Sequence, residues 1–140
     1  MRGIFVDSNV ILDLFKDDRM WAGWSESTLN HYSNTHTLYI NPIIYTEVSI
    51  GFKRIEELER AITGCGFQLL QMPKEALFLA GKTYVRYKKQ KGIKLSPLPD
   101  FFIGAHAAVL GLDLITRDAS RYKTYFPSVD LVTPESSPIP

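Results

Sequence analysis

A chain of 140 residues, 45% hydrophobic and 12% aromatic, can bury one substantial core and is near the usual size of a single domain. With 16 basic and 15 acidic residues the formal net charge is +1, so overall charge argues neither for nor against a nucleic-acid partner and any electrostatic signal has to be local. The one cysteine, Cys65, excludes an internal disulfide and suits a reducing compartment.

The opening stretch MRGIFVDSNVILDLFK has the apolar look of a signal peptide, but Asp7 and Asp13 interrupt it and no small-residue cleavage site follows. No stretch is long enough to cross a bilayer, so the expectation is a soluble cytoplasmic protein without a membrane partner. Residues 3–6 read as a strand. From Ser8 the spacing turns helical, with Val10, Ile11 and Leu14 on one face. A second helix is expected over 21–33 and a strand over 37–40. Asn41 and Pro42 supply a cap and a first-turn proline for a helix reaching about Ile50. Ile55, Leu58 and Ile62 form the apolar stripe of the next helix, which the glycines at 64 and 66 stop. FQLLQM follows as a third strand.

After Pro73 a longer helix is expected to carry Leu77, Ala80, Tyr84 and Tyr87 on one side and Lys82, Arg86 and Lys89 on another, ending near Gly92. A loop over 92–98 leads to a helix opened by Pro99 and Asp100, rich in alanine and ending near Gly111. DLIT is a fourth strand, a short helix follows Asp118, and VDLV is a fifth strand. Strands separated by helices require crossovers, which gives an α/β fold in three layers around a mostly parallel sheet of about five strands. One domain is expected over residues 1–133, with a loose proline-rich tail over 134–140.

In open α/β sheets the active site lies beyond the carboxyl ends of the strands. Asp7 falls at the carboxyl end of the first strand, and Asp118 a few residues beyond the fourth. Glu47 lies in the second turn of the helix leaving the second strand, and Asp100 starts the helix that precedes the fourth. All four can reach one edge of one sheet. Carboxylates gathered in a partly dry site raise one another's pKa unless a cation is present, and hard oxygen ligands suit Mg²⁺ or Mn²⁺. Metal-assisted phosphodiester hydrolysis is the chemistry that needs such a cluster. The sequence leaves open whether one or two ions bind.

Taken singly, each acid has a plain structural reading. Asp7 and Asp118 suit helix caps, Asp100 complements a helix dipole, and Glu47 is unremarkable if exposed. Thr116 reads equally as a strand-end hydroxyl or as a contact that orients a water or a carboxylate. Only joint placement favours a metal site. Asp13, Asp17 and Asp18 are expected to be solvated, His106 to be packed or hydrogen-bonded, and His31 and His36 have no partner at metal-ligand spacing. The basic segment RYKKQKGIK, with Arg86, Lys88 and Lys89, is either an RNA-binding patch with interleaved tyrosines or a solvated helix end. Arg117 and Arg121 stand beside Asp118, where each can hold a scissile phosphate or pair with a nearby acid.

VDSNVILDLF, YTEV around Glu47, LPDFFIGAHA around Asp100 and LITRDASRY around Asp118 together resemble the four acidic motifs of the PIN domain. They are similar, more closely, to those of VapC-type ribonuclease toxins of toxin–antitoxin pairs. The resemblance runs from residue 3 to about residue 132. It implies that Asp7, Glu47, Asp100 and Asp118 bind the metal, and that Asn9 and Thr116 are the polar positions accompanying the first and last acids. It further implies a central parallel sheet, a homodimer, a VapB-type antitoxin that blocks the site, and an RNA substrate cut to a 5′-phosphate and a 3′-hydroxyl. Residues 17–36 carry nothing that transfers. A phosphotransfer domain is the first rival, but DSN lacks the second aspartate two residues on. The others are a noncatalytic RNA-binding module of the same fold and a PIN nuclease that processes RNA.

Overall fold

The computed structural model describes residues 2–90 and 98–138. Five strands, β1 (Arg2–Val6), β2 (His36–Ile40), β3 (Gln68–Leu69), β4 (Asp113–Ile115) and β5 (Leu131–Val132), form one sheet in the order β3-β2-β1-β4-β5. Every pairing is parallel, with Ile4 beside Leu38 and Phe5 beside Leu114. The helices are α1 (Ser8–Phe15), α2 (Ala22–Ser33), α3 (Pro42–Ser49), α4 (Ile55–Gly64), α5 (Lys74–Lys89), α6 (Leu98–Leu110) and α7 (Ser120–Lys123). Right-handed crossovers put α1 to α4 on one face and α5 to α7 on the other, which yields the expected three layers. Consistent with this, α1 packs on α2 and α3, while α6 packs on α5 and α7. Ile4, Phe5, Val6, Leu114 and Ile115 are buried, as central strands covered on both faces require.

Three local expectations are corrected. The third strand is shortened to two residues at the sheet edge: its last ladder bond runs from Leu70 N to Ile40 O at 2.8 Å, and Pro73 soon follows. Ile55 starts α4 at 64% exposure, so the buried stripe is Leu58 and Ile62 alone. Leu77 is exposed as well; α5 instead buries Ala76, Ala80 and Thr83, small residues that let it approach α6 closely. Tyr84 and Tyr87 flank that seam, their ring centroids 6.0 and 5.4 Å from that of Phe101. Lys91, Lys94 and the expected loop lie outside the described residues, except for Leu98, which already belongs to α6. After β5, the Trp24 indole N–H donates to the Ser137 carbonyl at 2.8 Å, and Ser136 bonds back to Thr133.

Asn41 caps α3 as its sequence position foretells: its Oδ1 accepts from Ile44 N at 2.9 Å. That fixes the amide so that its Nδ2 donates to His106 Nδ1 at 3.1 Å. Burial pushes the His106 pKa down to about 4, so the ring is neutral, packed 4.7 Å from the Phe5 ring. Asn41→Ala removes the cap and strips His106 of its partner inside the core. It should cost about 2–3 kcal/mol in chemical denaturation; a loss below about 0.5 kcal/mol would show that neither bond contributes.

Candidate active site

The chain leaves β1 toward β2 on one side, then returns to lay β4 against β1 on the other. Crossovers depart in opposite directions from this point, so a crevice opens at the carboxyl ends of β1 and β4. Asp7 follows Val6 on one lip and Thr116 follows Ile115 on the other. A backbone bond from Asp7 N to Ile115 O at 2.9 Å ties the two strand ends together.

Asp7 is both a helix cap and the hub of the crevice. Its extended backbone starts α1, and Oδ1 accepts from Ser8 N at 2.8 Å. Oδ2 accepts from Thr116 Oγ1 and from Tyr122 OH, each at 2.8 Å. The side chain is 1% exposed, and burial raises its pKa despite those donors and the Arg121 charge. Thr116 Oγ1 also accepts from Asp118 N at 3.1 Å, which links the first acid to the last. Asn9 braces the same turn: its Nδ2 lies 3.3 Å from Thr116 Oγ1, and its Oδ1 accepts from Arg117 N at 3.2 Å.

The other acids arrive from three elements. Glu47 on α3 is reached through Ser8, whose hydroxyl donates to Glu47 Oε1 at 2.8 Å. Burial raises its pKa, opposed by the Ser8 bond, and Asp7 pushes the same way as burial. Asp100 stands in the first turn of α6, a helix buried on nearly every side, and is 3% exposed with no partner for Oδ2. Burial, together with Asp7, Glu47 and Asp118, pushes its pKa up to about 7, and Arg121 offsets part of that. Asp118 accepts from Ser120 Oγ at 2.8 Å and pairs with Arg121 Nε at 2.7 Å. A second guanidinium nitrogen of Arg121 lies 3.6 Å from Asp100 Oδ1.

The four acids thus meet with Asn9, Thr116 and Arg121. Arg117 does not join them. Its guanidinium grips Asp13 through Nε and through Nη2 at 3.0 Å, and lies 5.2 Å from the Trp21 ring. Asp13, expected in solvent, is 5% exposed and also accepts from Ser25, because α2 folds over it. Asp18 is likewise engaged, accepting from Trp21 N at 2.9 Å. Arg86, Lys88 and Lys89 are exposed at the end of α5, with Arg86 5.3 Å from the Tyr125 ring. Sequence reasoning missed Ser8 and Tyr122. Both lie inside quoted motifs, but only their hydrogen bonds reveal the role. Burial, and after it Asp7, hold the Tyr122 pKa well above its ordinary value, so the phenol remains a donor.

A cleft of about 940 Å³ opens beside Asp118 and Ser120, passing Arg117 and Lys123 toward Phe126. The donor set is all oxygen, as a hard divalent cation prefers, and Asp100 offers a buried oxygen that nothing satisfies. As placed, with a guanidinium among them, no three acidic, His or Cys side chains among the described residues form a ready metal cage. The residues fit such an ion in the chemistry of their donors.

The family model described as PIN domain matches residues 4–127. No curated protein sequence matches the chain. Among solved structures, it is similar to a chain of a toxin–antitoxin complex from Klebsiella pneumoniae, with TM-score 0.70, 24% identity, and coverage of 94% of this chain and 98% of that one. VapBC-1 from nontypeable Haemophilus influenzae gives TM-score 0.71 at 22% identity, covering 93% and 96%. VapBC2 from Rickettsia felis, bound to a DNA fragment from its promoter, gives 0.71 at 15%, covering 93% and 97%.

Proposed function

This chain belongs to the PIN domain family, and from that premise we propose that it is a metal-dependent endoribonuclease, the toxin of a toxin–antitoxin pair, which inhibits translation by cutting a structured tRNA or rRNA. The observation that carries the reading is the convergence of Asp7, Glu47, Asp100 and Asp118 at one crevice, with the Asp100 pKa pushed up to about 7. Such crowding is costly to keep without a cation to relieve it.

Asp7, Glu47, Asp100 and Asp118 would hold one or two Mg²⁺ or Mn²⁺ ions. Bound there, such an ion would supply Lewis-acid activation of a water and charge neutralisation at the scissile phosphate. Tyr122, Thr116 and Ser8 hold the Asp7 carboxylate in one orientation, so that little reorganisation accompanies ligation. Ser8 does the same for Glu47. The cleft beside Asp118 has room for nucleotides flanking the cut, with Lys123 at its wall. Arg86, Lys88 and Lys89 extend the cationic surface for the RNA backbone. Similarity to VapBC complexes supports an antitoxin partner of the VapB type, and the same reading has that antitoxin cover the site of a homodimer acting in the cytoplasm. No described helix is long and apolar enough to cross a membrane.

Purified protein freed of any bound inhibitor should cut total cellular RNA into discrete fragments with Mg²⁺ or Mn²⁺ and not with EDTA. An intact RNA pool across both ions would transfer the reading to a noncatalytic RNA-binding module. Proton competition gives a second check. Because the Asp100 pKa is raised to about 7, the site holds more protons at pH 5.5 than at pH 8 and must release them on ligation. Saturating Mn²⁺ should therefore raise the melting temperature more at pH 8 than at pH 5.5. Equal shifts would remove Asp100 from the ligand set.

A further inference from the structure

We propose that Arg121 is the site's own counter-ion: in the metal-free protein its guanidinium takes the electrostatic place of the divalent cation, and entry of the cation drives it off Asp118 and Asp100. The inference rests on the reading of the four acids as a metal site and concerns how that site is kept when empty.

The geometry is that of a stand-in. Arg121 Nε pairs with Asp118 Oδ2 by charge at 2.7 Å, while Nη1 remains 3.6 Å from Asp100 Oδ1, and the second Asp100 oxygen is left buried and unpartnered. One guanidinium spans two acids from different elements and completes neither as a bidentate pair. Arg117 shows what a permanent pair looks like in the same fold, with two nitrogens on both oxygens of a 5%-exposed Asp13 and an aromatic ring nearby. Arg121 is also the movable one. Its side chain is 44% exposed, and it extends from the four-residue α7, whose N-cap Ala119 makes no side-chain cap bond.

Charge explains why an arginine is kept there. Burial works against the Arg121 cation, but Asp100, Asp118 and Asp7 outweigh it and hold the charge more firmly. Without it, Asp100 and Asp118 would face each other and Asp7 with no neutralising group. A guanidinium and a divalent cation cannot both occupy these oxygens, since they repel at contact distance and compete for the same lone pairs. Once displaced, the five guanidinium donors stand at the mouth of the crevice, free for a substrate phosphate. Arg121 is thus a positioning residue of the empty site that becomes available to the substrate only when the ion is in place.

The test follows the arginine directly. In the full chain labelled with ¹⁵N, the Arg121 Nε–H resonance, assigned by its loss in Arg121→Gln, is observed through a Mg²⁺ titration. Calorimetry then gives Mn²⁺ affinities for wild type, Arg121→Gln and Arg121→Lys. We expect an Nε–H resonance that shifts between the metal-free and the Mg²⁺-saturated protein, and Mn²⁺ bound at least about tenfold more tightly by Arg121→Gln. Arg121→Lys, which retains the charge, should remain near wild type and shows that the gain follows charge rather than lost packing. An Nε–H resonance unmoved at saturating Mg²⁺ overturns the inference while leaving the metal site standing, and so does equal Mn²⁺ affinity in wild type and Arg121→Gln. Failure of wild type to take up Mn²⁺ overturns both. The wild-type titration stands even if a variant folds poorly.

Discussion

Asp100→Asn should lower RNA cleavage at saturating Mn²⁺ by at least about a hundredfold, the scale of losing one charged group that stabilises a transition state, while leaving the fold intact. The amide matches the carboxyl in size, and α6 owes its place to its buried apolar residues rather than to that charge. What is lost is an anion with one oxygen that has no protein partner. The same substitution should stabilise the metal-free protein at pH 8. In the folded chain the Asp100 pKa is raised from 3.8 to about 7, so its contribution to stability is full below about pH 4 and is lost as pH rises through 7. Asparagine imitates the protonated form at every pH. The gain should grow from pH 5 to pH 8 and reach at most about 4 kcal/mol at roughly 1.4 kcal/mol per pH unit. His106 is shifted in the opposite direction and loses stability as pH falls below its ordinary value, but it is common to both proteins and drops out of the difference. Wild-type cleavage by Asp100→Asn would take Asp100 out of the chemistry. A pH-independent stability difference would mean its carboxyl is not strained.

Gly104→Ala should destabilise the protein by about 3 kcal/mol, against the usual expectation that alanine improves a helix by about 0.5–1 kcal/mol. A Cβ at Gly104 would sit 2.3, 2.5 and 2.8 Å from three carbons of the Phe126 ring. That ring is 3% exposed and packed beside Phe101, with centroids 6.3 Å apart, so it has nowhere to swing. Overlap with a trapped ring outweighs the gain in backbone entropy. Gly104 is one turn beyond Asp100 on the same face of α6, so any shift of the helix also moves the carboxylate. Denaturant midpoints should fall for Gly104→Ala and recover in part when Phe126→Leu is added. An unchanged or raised midpoint in the single variant would show that the ring yields.

Most of the fold was legible because its signals are local. Asn41 and Pro42 define the start of α3, Gly111 at φ +66 ends α6, and the alternation of apolar runs with helical spacing is enough for parallel crossovers. Errors arose where a neighbour decides. Leu77 has helical spacing as good as that of Ala76, yet the close α5–α6 contact selects the small residue for the interior. Asp13 looks like any charged residue near a helix end until α2 covers it and Arg117 is found on it. In the site, the four acids could be named because Asp7 and Asp118 follow strand ends, Asp100 starts a helix, and Glu47 lies in the helix that leaves the second strand. Ser8 and Tyr122 could not, and for Arg121 the choice between a phosphate and a nearby acid stayed open, since each depends on which oxygen faces which donor.

By itself, therefore, the sequence determined the element order and the parallel α/β class, which follow from periodicity and capping, and it singled out four candidate carboxylates by their position relative to the strand ends. Tertiary structure alone decided the strand order β3-β2-β1-β4-β5, and with it the crevice between β1 and β4 where those carboxylates meet. It decided too that Arg117 pairs with Asp13 while Arg121 turns toward Asp118 and Asp100. The physical reason is range. Helix periods and caps are set by neighbours within a turn, whereas the partner of a charge is set by which distant segment packing brings within about 4 Å of it.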